Sequence, residues 1–219
     1  MSIVVSMFAV VVALVVFGAM AFVGSTPPAA DYTQGHQPGQ PVNVTLQTVG
    51  SIGYGVHPDW VSYLAEAPGG QWVHTTLLKL PAHSKINVTI LQYDSGSPLR
   101  NAFFGQVQGT SGGDEFINGK PTRLVNSNAG NGVAHTFSVP ALDINVPLLG
   151  VDPSASNFCS TPAPCGSAEH YTVQFSFVTP GPGDYRFQCF IPCGLGYLYG
   201  NGGPMSTIGY MGGFLEVTA

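Results

Sequence analysis

From residue 42 to residue 218 the chain is a succession of short segments in which apolar and polar side chains alternate, separated by turn residues: 42–49, 71–80, 85–93, 133–139, 170–178, 184–191 and 213–218. Period-2 alternation marks a strand with one buried face, and 29 glycines and 18 prolines supply the turns. Seven such segments predict an all-β, antiparallel sandwich. Only 8% of residues are charged but 44% are hydrophobic, so there is apolar material for a core. At 219 residues the chain has room for one domain and an anchor. With a net charge of -5 and no basic stripe, it offers nothing to hold a nucleic-acid backbone, and that class of partner is set aside.

Residues 3–23 contain nothing more polar than Ser6 and Gly18. As a helix they would extend about 31 Å, the thickness of a bilayer's hydrocarbon core. Two readings stand: a retained transmembrane anchor, or a signal peptide with Ala19-Met20-Ala21 as its cleavage site. No Lys or Arg precedes Lys79, so the basic flank of a signal is missing and the anchor is favoured. Either reading exports the remainder, to the cell surface or periplasm if anchored and into the medium if cleaved. The organisation expected is therefore an anchor or signal over 1–23, a Pro-, Ala-, Gly- and Gln-rich linker over 24–41, and one domain over 42–219. Residues 59–65 are expected to form a short helix capped by Asp59. The aperiodic stretch 95–132 is too long for a plain loop and reads as functional or as an excursion with short elements of its own.

The four cysteines form two close pairs. Cys159 and Cys165 enclose Ser-Thr-Pro-Ala-Pro, a spacer that suits a small structural disulfide in an oxidising compartment. Two Asn-Val-Thr sequons, at Asn43 and Asn87, would be glycosylated only where the host modifies exported chains. Strand alternation places His135 on the inward face with Val133, Phe137 and Val139, and Cys189 on the face of Tyr185 and Phe187.

Two segments together carry a resemblance. One is His135-Thr-Phe-Ser-Val-Pro140-Ala-Leu142-Asp-Ile-Asn; the other is Pro182-Gly-Asp-Tyr185-Arg-Phe-Gln188-Cys189-Phe-Ile-Pro-Cys193-Gly-Leu-Gly. In this order, with a closing strand after them, they resemble the copper-binding domain of cytochrome c oxidase subunit II, a member of the cupredoxin superfamily. The resemblance covers about half the chain, chiefly 133–219. It implies a Greek-key sandwich behind an N-terminal helix, and a binuclear copper centre that accepts electrons on the input side of a respiratory oxidase. It further implies His135, Cys189 and Cys193 as ligands and the Ile191 carbonyl as a weaker donor. Soft thiolates and imidazole suit copper, and a rigid β-scaffold limits reorganisation on electron transfer.

The pattern then departs from the family. Tyr197 stands where the second histidine is expected and Gly200 where the methionine is expected. A neutral phenol replaces an imidazole poorly, so at most one copper is expected. The glycine-rich loop that follows offers Met205, or Met211, as a thioether ligand, while His74 is a distant candidate for the missing imidazole; both methionines equally suit a core. Three functions compete: an electron-transfer protein or oxidase subunit holding copper through His135, Cys189, Cys193 and Met205; a metal-free structural or assembly subunit with Cys189 joined to Cys193; and a Cu(I) carrier. Expected partners are the membrane and other oxidase subunits or a redox protein. No Gly-x-Ser-x-Gly, His-Glu-x-x-His or phosphate-binding glycine loop supports an independent catalytic site.

Overall fold

The computed structural model describes residues 2–22, 28–37, 39–52, 59–96, 98–99, 101–126, 131–154, 165, 170–193 and 203–219. One helix, α1 (Ser2–Phe22), precedes thirteen strands: β1 (Ala30–Asp31), β2 (Val42–Ile52), β3 (Trp60–Glu66), β4 (Trp72–Val73), β5 (Leu77–Pro81), β6 (Lys85–Gln92), β7 (Glu115–Ile117), β8 (Lys120–Thr122), β9 (Val133–Val139), β10 (Ile144–Leu149), β11 (Tyr171–Val178), β12 (Gly183–Gln188) and β13 (Gly212–Thr218). They form two sheets, ordered β1-β5-β13-β12-β9-β10 and β4-β3-β2-β6-β11-β7-β8. The β-sandwich class expected from alternation is what the chain adopts. It is mixed rather than purely antiparallel: β1 and β13 both run parallel to β5, and β2 runs parallel to β6. Parallel neighbours arise because the chain changes sheet between β5 and β6 instead of returning through hairpins.

The core lies between the sheets. β2 contributes Val42, Val44 and Leu46, β6 contributes Ile86, Val88 and Ile90, and β13 contributes Leu215 and Val217, each at period 2. Phe137 stacks on Phe187 at 4.9 Å and meets Phe175 at 5.5 Å, joining β9, β12 and β11 across the interior. On the outer face of the other sheet, the parallel register sets Asn43 beside Asn87, and the Asn87 amide donates to Asn43 at 3.0 Å.

Three expectations need correction. Residues 59–65 are not a helix: Trp60–Glu66 is a strand paired with β2 from Thr45 to Ile52. It lacks alternation because its five central residues are all buried, and its Trp, Val and Tyr suit a sheet better than an Asp59 cap suits a helix. The expected strand 71–80 is two strands in different sheets, β4 and β5, with the switch at His74–Thr76. The segment assigned to the linker also contributes structure, since Ala30–Asp31 pairs with β5 and the buried Tyr32 donates its hydroxyl to the Glu66 carbonyl at 2.7 Å.

The excursion over 95–132 holds elements of its own. Gln108 bridges Asn145 on the free edge of β10, and β7 then joins β11 in the opposite sheet, so the segment closes that side of the sandwich. In α1 the described side chains are those of residues 6–19, and the large apolar ones from Met7 to Phe17 are exposed. That stretch alone falls short of the ~20 residues of a span. Among the described residues no helix is long and apolar enough to cross a membrane.

Candidate metal centre

β12 ends at Gln188, and the chain turns at Cys189 because its backbone is claimed by another loop. The Cys189 N–H donates to the carbonyls of Met205 at 3.1 Å and Met211 at 3.0 Å. Phe190 N–H donates to the Thr136 hydroxyl on β9 at 2.9 Å. The turn then folds around the sulfur: the Ile191 N–H donates to Cys189 Sγ at 3.4 Å, and the Ile191 carbonyl oxygen lies 3.4 Å from the same sulfur. This wrapping brings Cys193 Sγ to 3.7 Å from Cys189 Sγ.

β9 supplies the third group. His135 Nδ1 is 3.8 Å from Cys189 Sγ, and the other ring nitrogen, Nε2, is 2.9 Å from the Asp94 carboxylate. Donation from Nε2 to Asp94 leaves the Nδ1 lone pair facing the sulfurs, the tautomer a metal ligand requires. Asp94 is itself held where β6 ends: its carbonyl accepts from Val151 N–H at 2.9 Å and from the Gln92 amide at 2.8 Å. The potential ligand atoms of His135, Cys189 and Cys193 all lie within 4.8 Å of one another, and all three residues are buried.

The electrostatics follow from that packing. Burial alone would depress the His135 imidazole, but its bonds to Asp94 and Cys189 outweigh burial and hold it up to about 9. Burial likewise opposes ionisation of Cys189, but the Cys193 S–H and the His135 ring hold its thiol well below the usual range. Cys193 moves the other way, raised because its S–H bonds Cys189 and because it is buried.

The donor set suits a soft cation. With metal–sulfur bonds of ~2.3 Å and metal–nitrogen bonds of ~2.0 Å, ligand atoms on a tetrahedral ion lie roughly 3.5–3.8 Å apart. The sulfur–sulfur separation of 3.7 Å matches this, while the 3.8 Å from Nδ1 to Cys189 Sγ is a little longer than a shared ion would set and the three ligand atoms lie within 4.8 Å of one another. The sulfur–sulfur separation does not match a disulfide, whose sulfurs lie ~2.05 Å apart, and Cys189 and Cys193 are free thiols.

The sequence-predicted residues are thus partly assembled. His135, Cys189 and Cys193 come together, and the Ile191 carbonyl lies against one sulfur. Met205 and Met211 are buried and reach the site through their backbone carbonyls. His74 does not join the cluster; its ring packs edge-on to Tyr210 at 6.0 Å. Tyr197, Gly200 and Cys159 lie outside the described residues, and with Cys159 the Cys159–Cys165 pairing. Sequence reasoning missed Asp94, whose only signal is its place directly after an inward-alternating strand.

No protein-family model and no curated protein matches the sequence. Among solved structures, rusticyanin from Thiobacillus ferrooxidans is 15% identical over 87% of this chain and 82% of its own, with a TM-score of 0.32. A structure of serine- and methionine-substituted rusticyanin is also 15% identical, over 83% of this chain and 80% of its own, with a TM-score of 0.30. At that distance no residue's role carries across, and the centre stands on its own geometry.

Proposed function

We propose that the chain is an exported, membrane-tethered copper protein of the cupredoxin type that passes electrons to a respiratory oxidase or a related redox partner. The observation that carries the reading is the buried convergence of His135 Nδ1 with the sulfurs of Cys189 and Cys193 at metal-ligand spacing. When bound, copper supplies a one-electron centre stabilised in its reduced form by soft sulfur. The chain's own residues do the rest. His135 and the two thiolates bind, Asp94 fixes the ring and its tautomer, and the Ile191 carbonyl offers a weak additional donor. Thr136 and the Met205 and Met211 carbonyls pin the turn, so the ligands need little rearrangement between oxidation states, and burial keeps water away. The Met205 thioether would be a further ligand, carried by the loop whose backbone carbonyl accepts from the Cys189 N–H. The apolar side chains exposed from Met7 to Phe17 along α1 are what a membrane tether would present, and tethering with an extracytoplasmic domain is part of the proposal.

The test uses the full chain in detergent, purified under reducing conditions and titrated with Cu(I). Stoichiometric uptake of one copper per chain, with a thiolate-to-Cu(II) band on oxidation that Cys193→Ser abolishes, is expected. A chain that takes no copper, or takes zinc and gives no such band, overturns the reading in favour of a metal-free sandwich or a zinc site. Two coppers with a mixed-valence spectrum would mean that another imidazole completes the centre.

A further inference from the structure

Between β6 and β9 the chain folds back on itself as an antiparallel ribbon. Val125 N–H donates to the Gly105 carbonyl at 2.8 Å, Val107 N–H to the Arg123 carbonyl at 2.9 Å, and β7 pairs with β8 from Glu115 to Ile117. The ribbon is a strap across the open side of the sandwich. On one sheet it grips β10, where Gln108 and Asn145 exchange backbone bonds at 2.8 and 3.1 Å and the Asn145 side-chain amide donates to the Gln106 carbonyl at 2.7 Å. On the other it grips β11, through Ser111 N–H to the Ser176 carbonyl, Asn118 N–H to the Thr172 carbonyl and the pairing of β7. Val107 and Val125 are buried in the strap. So is Glu115, at 0% exposure, and neither of its carboxyl oxygens has a hydrogen-bond partner among the described residues.

Native interiors rarely leave a polar group in that state, and a carboxyl without a partner is tolerated there only in its neutral form. Neighbouring charges do not rescue it: β10 carries none, β11 has only Tyr171 at its far end, Lys120 on β8 is exposed, and Arg123 is engaged by Asp114. Burial is accordingly what lifts the Glu115 carboxyl from 4.5 to about 9. The strap is also the part of its sheet most easily parted, since β7 meets β11 over two residues where β6 meets it over eight. Elements so joined open locally before the whole domain unfolds.

We propose that the ribbon over 105–125 is a proton-operated latch: Glu115 holds it shut as the neutral acid, and loss of that proton lets it lift from β10 and β11 while the rest of the sandwich stays folded. The sign follows from linkage. A carboxyl that titrates higher when covered than when wet contributes fully below 4.5, and the contribution is lost as pH rises towards 9. Across that window the equilibrium constant for opening grows by up to about tenfold per pH unit. The latch needs no metal and stands apart from the copper reading.

The experiment is amide hydrogen exchange, read by mass spectrometry, on the full chain in detergent at pH 5, 6.5 and 8. Wild type and Glu115→Gln are compared at each pH, so the intrinsic pH dependence of exchange cancels. Peptides from 105–125 are expected to lose protection in the wild type relative to the variant by up to about tenfold per pH unit, while peptides from β2 and β6 keep theirs. A buried Gln amide is also unpartnered, which offsets the ratio by a constant factor, so the slope with pH is the readout. Glu115→Leu removes the polar group altogether, is expected to give the same slope, and serves if the Gln variant does not fold. Strap protection that runs parallel with pH in wild type and variants overturns the proposal. Protection lost equally from β2 and β6 overturns it too, by placing the titration on global unfolding.

Discussion

Glu115 opens β7 with its side chain fully buried, and neither carboxyl oxygen has a hydrogen-bond partner among the described residues. Its pairing with Thr122 on β8, and the register of β7 on β11, turn it inward. Burial pushes its pKa up to about 9, against 4.5 for the free side chain, so the folded chain keeps it as a neutral acid. Between these two values the folded state binds a proton that the unfolded state has released. Stability therefore falls as pH rises from 4.5, by up to ~1.4 kcal/mol per unit, and levels off above 9. At pH 7.5 the ceiling on this loss is about 4 kcal/mol, the cost of burying a group that water would ionise. Glu115→Gln keeps the shape and removes the titration. Urea unfolding of the full chain at pH 5, 6.5 and 8 is expected to show little difference between the two chains at pH 5 and a variant progressively more stable as pH rises. The raised His135 also loses its stabilising contribution as pH rises through about 9, but it does so in both chains and cancels from the difference. Wild-type and variant stabilities that run parallel with pH would refute the assignment of a neutral buried acid.

Asp94→Asn removes the charge that fixes the His135 ring and is expected to weaken Cu(I) binding by roughly 10–100-fold in chelator competition, while leaving the far-UV spectrum unchanged. Gly213 lies where a Cβ would run into the Thr76 carbonyl oxygen across the parallel β5–β13 crossing, so Gly213→Ala is expected to lower the melting temperature by several degrees, as ~2 kcal/mol or more of overpacking does. Cys159 and Cys165 are expected to be joined, and mass spectrometry of unreduced peptides would show a single cross-linked species.

Strands were legible where apolar and polar side chains alternate. Residues 42–49, 85–93, 170–178 and 213–218 announced β2, β6, β11 and β13 because the pleat sends alternate side chains to a core and an outer face, and 133–139 announced β9, buried throughout, because its outer positions include the hydroxyl-bearing Thr136 and Ser138. The same cause explains the failures. β3 is buried on both faces and shows no period; β10 contains Pro147 in an apolar run; and the three-residue β7 and β8 are too short for a pattern. The segment 184–191 was read three residues too long because Cys189 leaves the ladder to bond Met205 and Met211, a contact that nothing near it in sequence reveals. His135, Cys189 and Cys193 were found through their motif. Asp94 was not, since its partner lies 41 residues away on another strand.

What the site does with charge ties these observations together. Two thiolates beside a carboxylate, largely buried, would repel one another, and burial together with the Cys189 sulfur pushes the Cys193 thiol up while the Asp94 and Cys189 contacts hold the His135 imidazole up. Under the proposed copper reading, a cation held by Nδ1 and the two sulfurs would displace whatever protons those atoms carry, and the ligand atoms are already close enough that the turn would need little rebuilding. A disulfide would relieve the same repulsion by a different route. It requires the sulfurs to close from 3.7 Å to ~2.05 Å, against a turn pinned by Thr136, Met205 and Met211 on one side and wrapped around Cys189 Sγ by Ile191 on the other. The scaffold holds the two sulfurs 3.7 Å apart, a separation one ion would span, and this is what the copper reading requires of it.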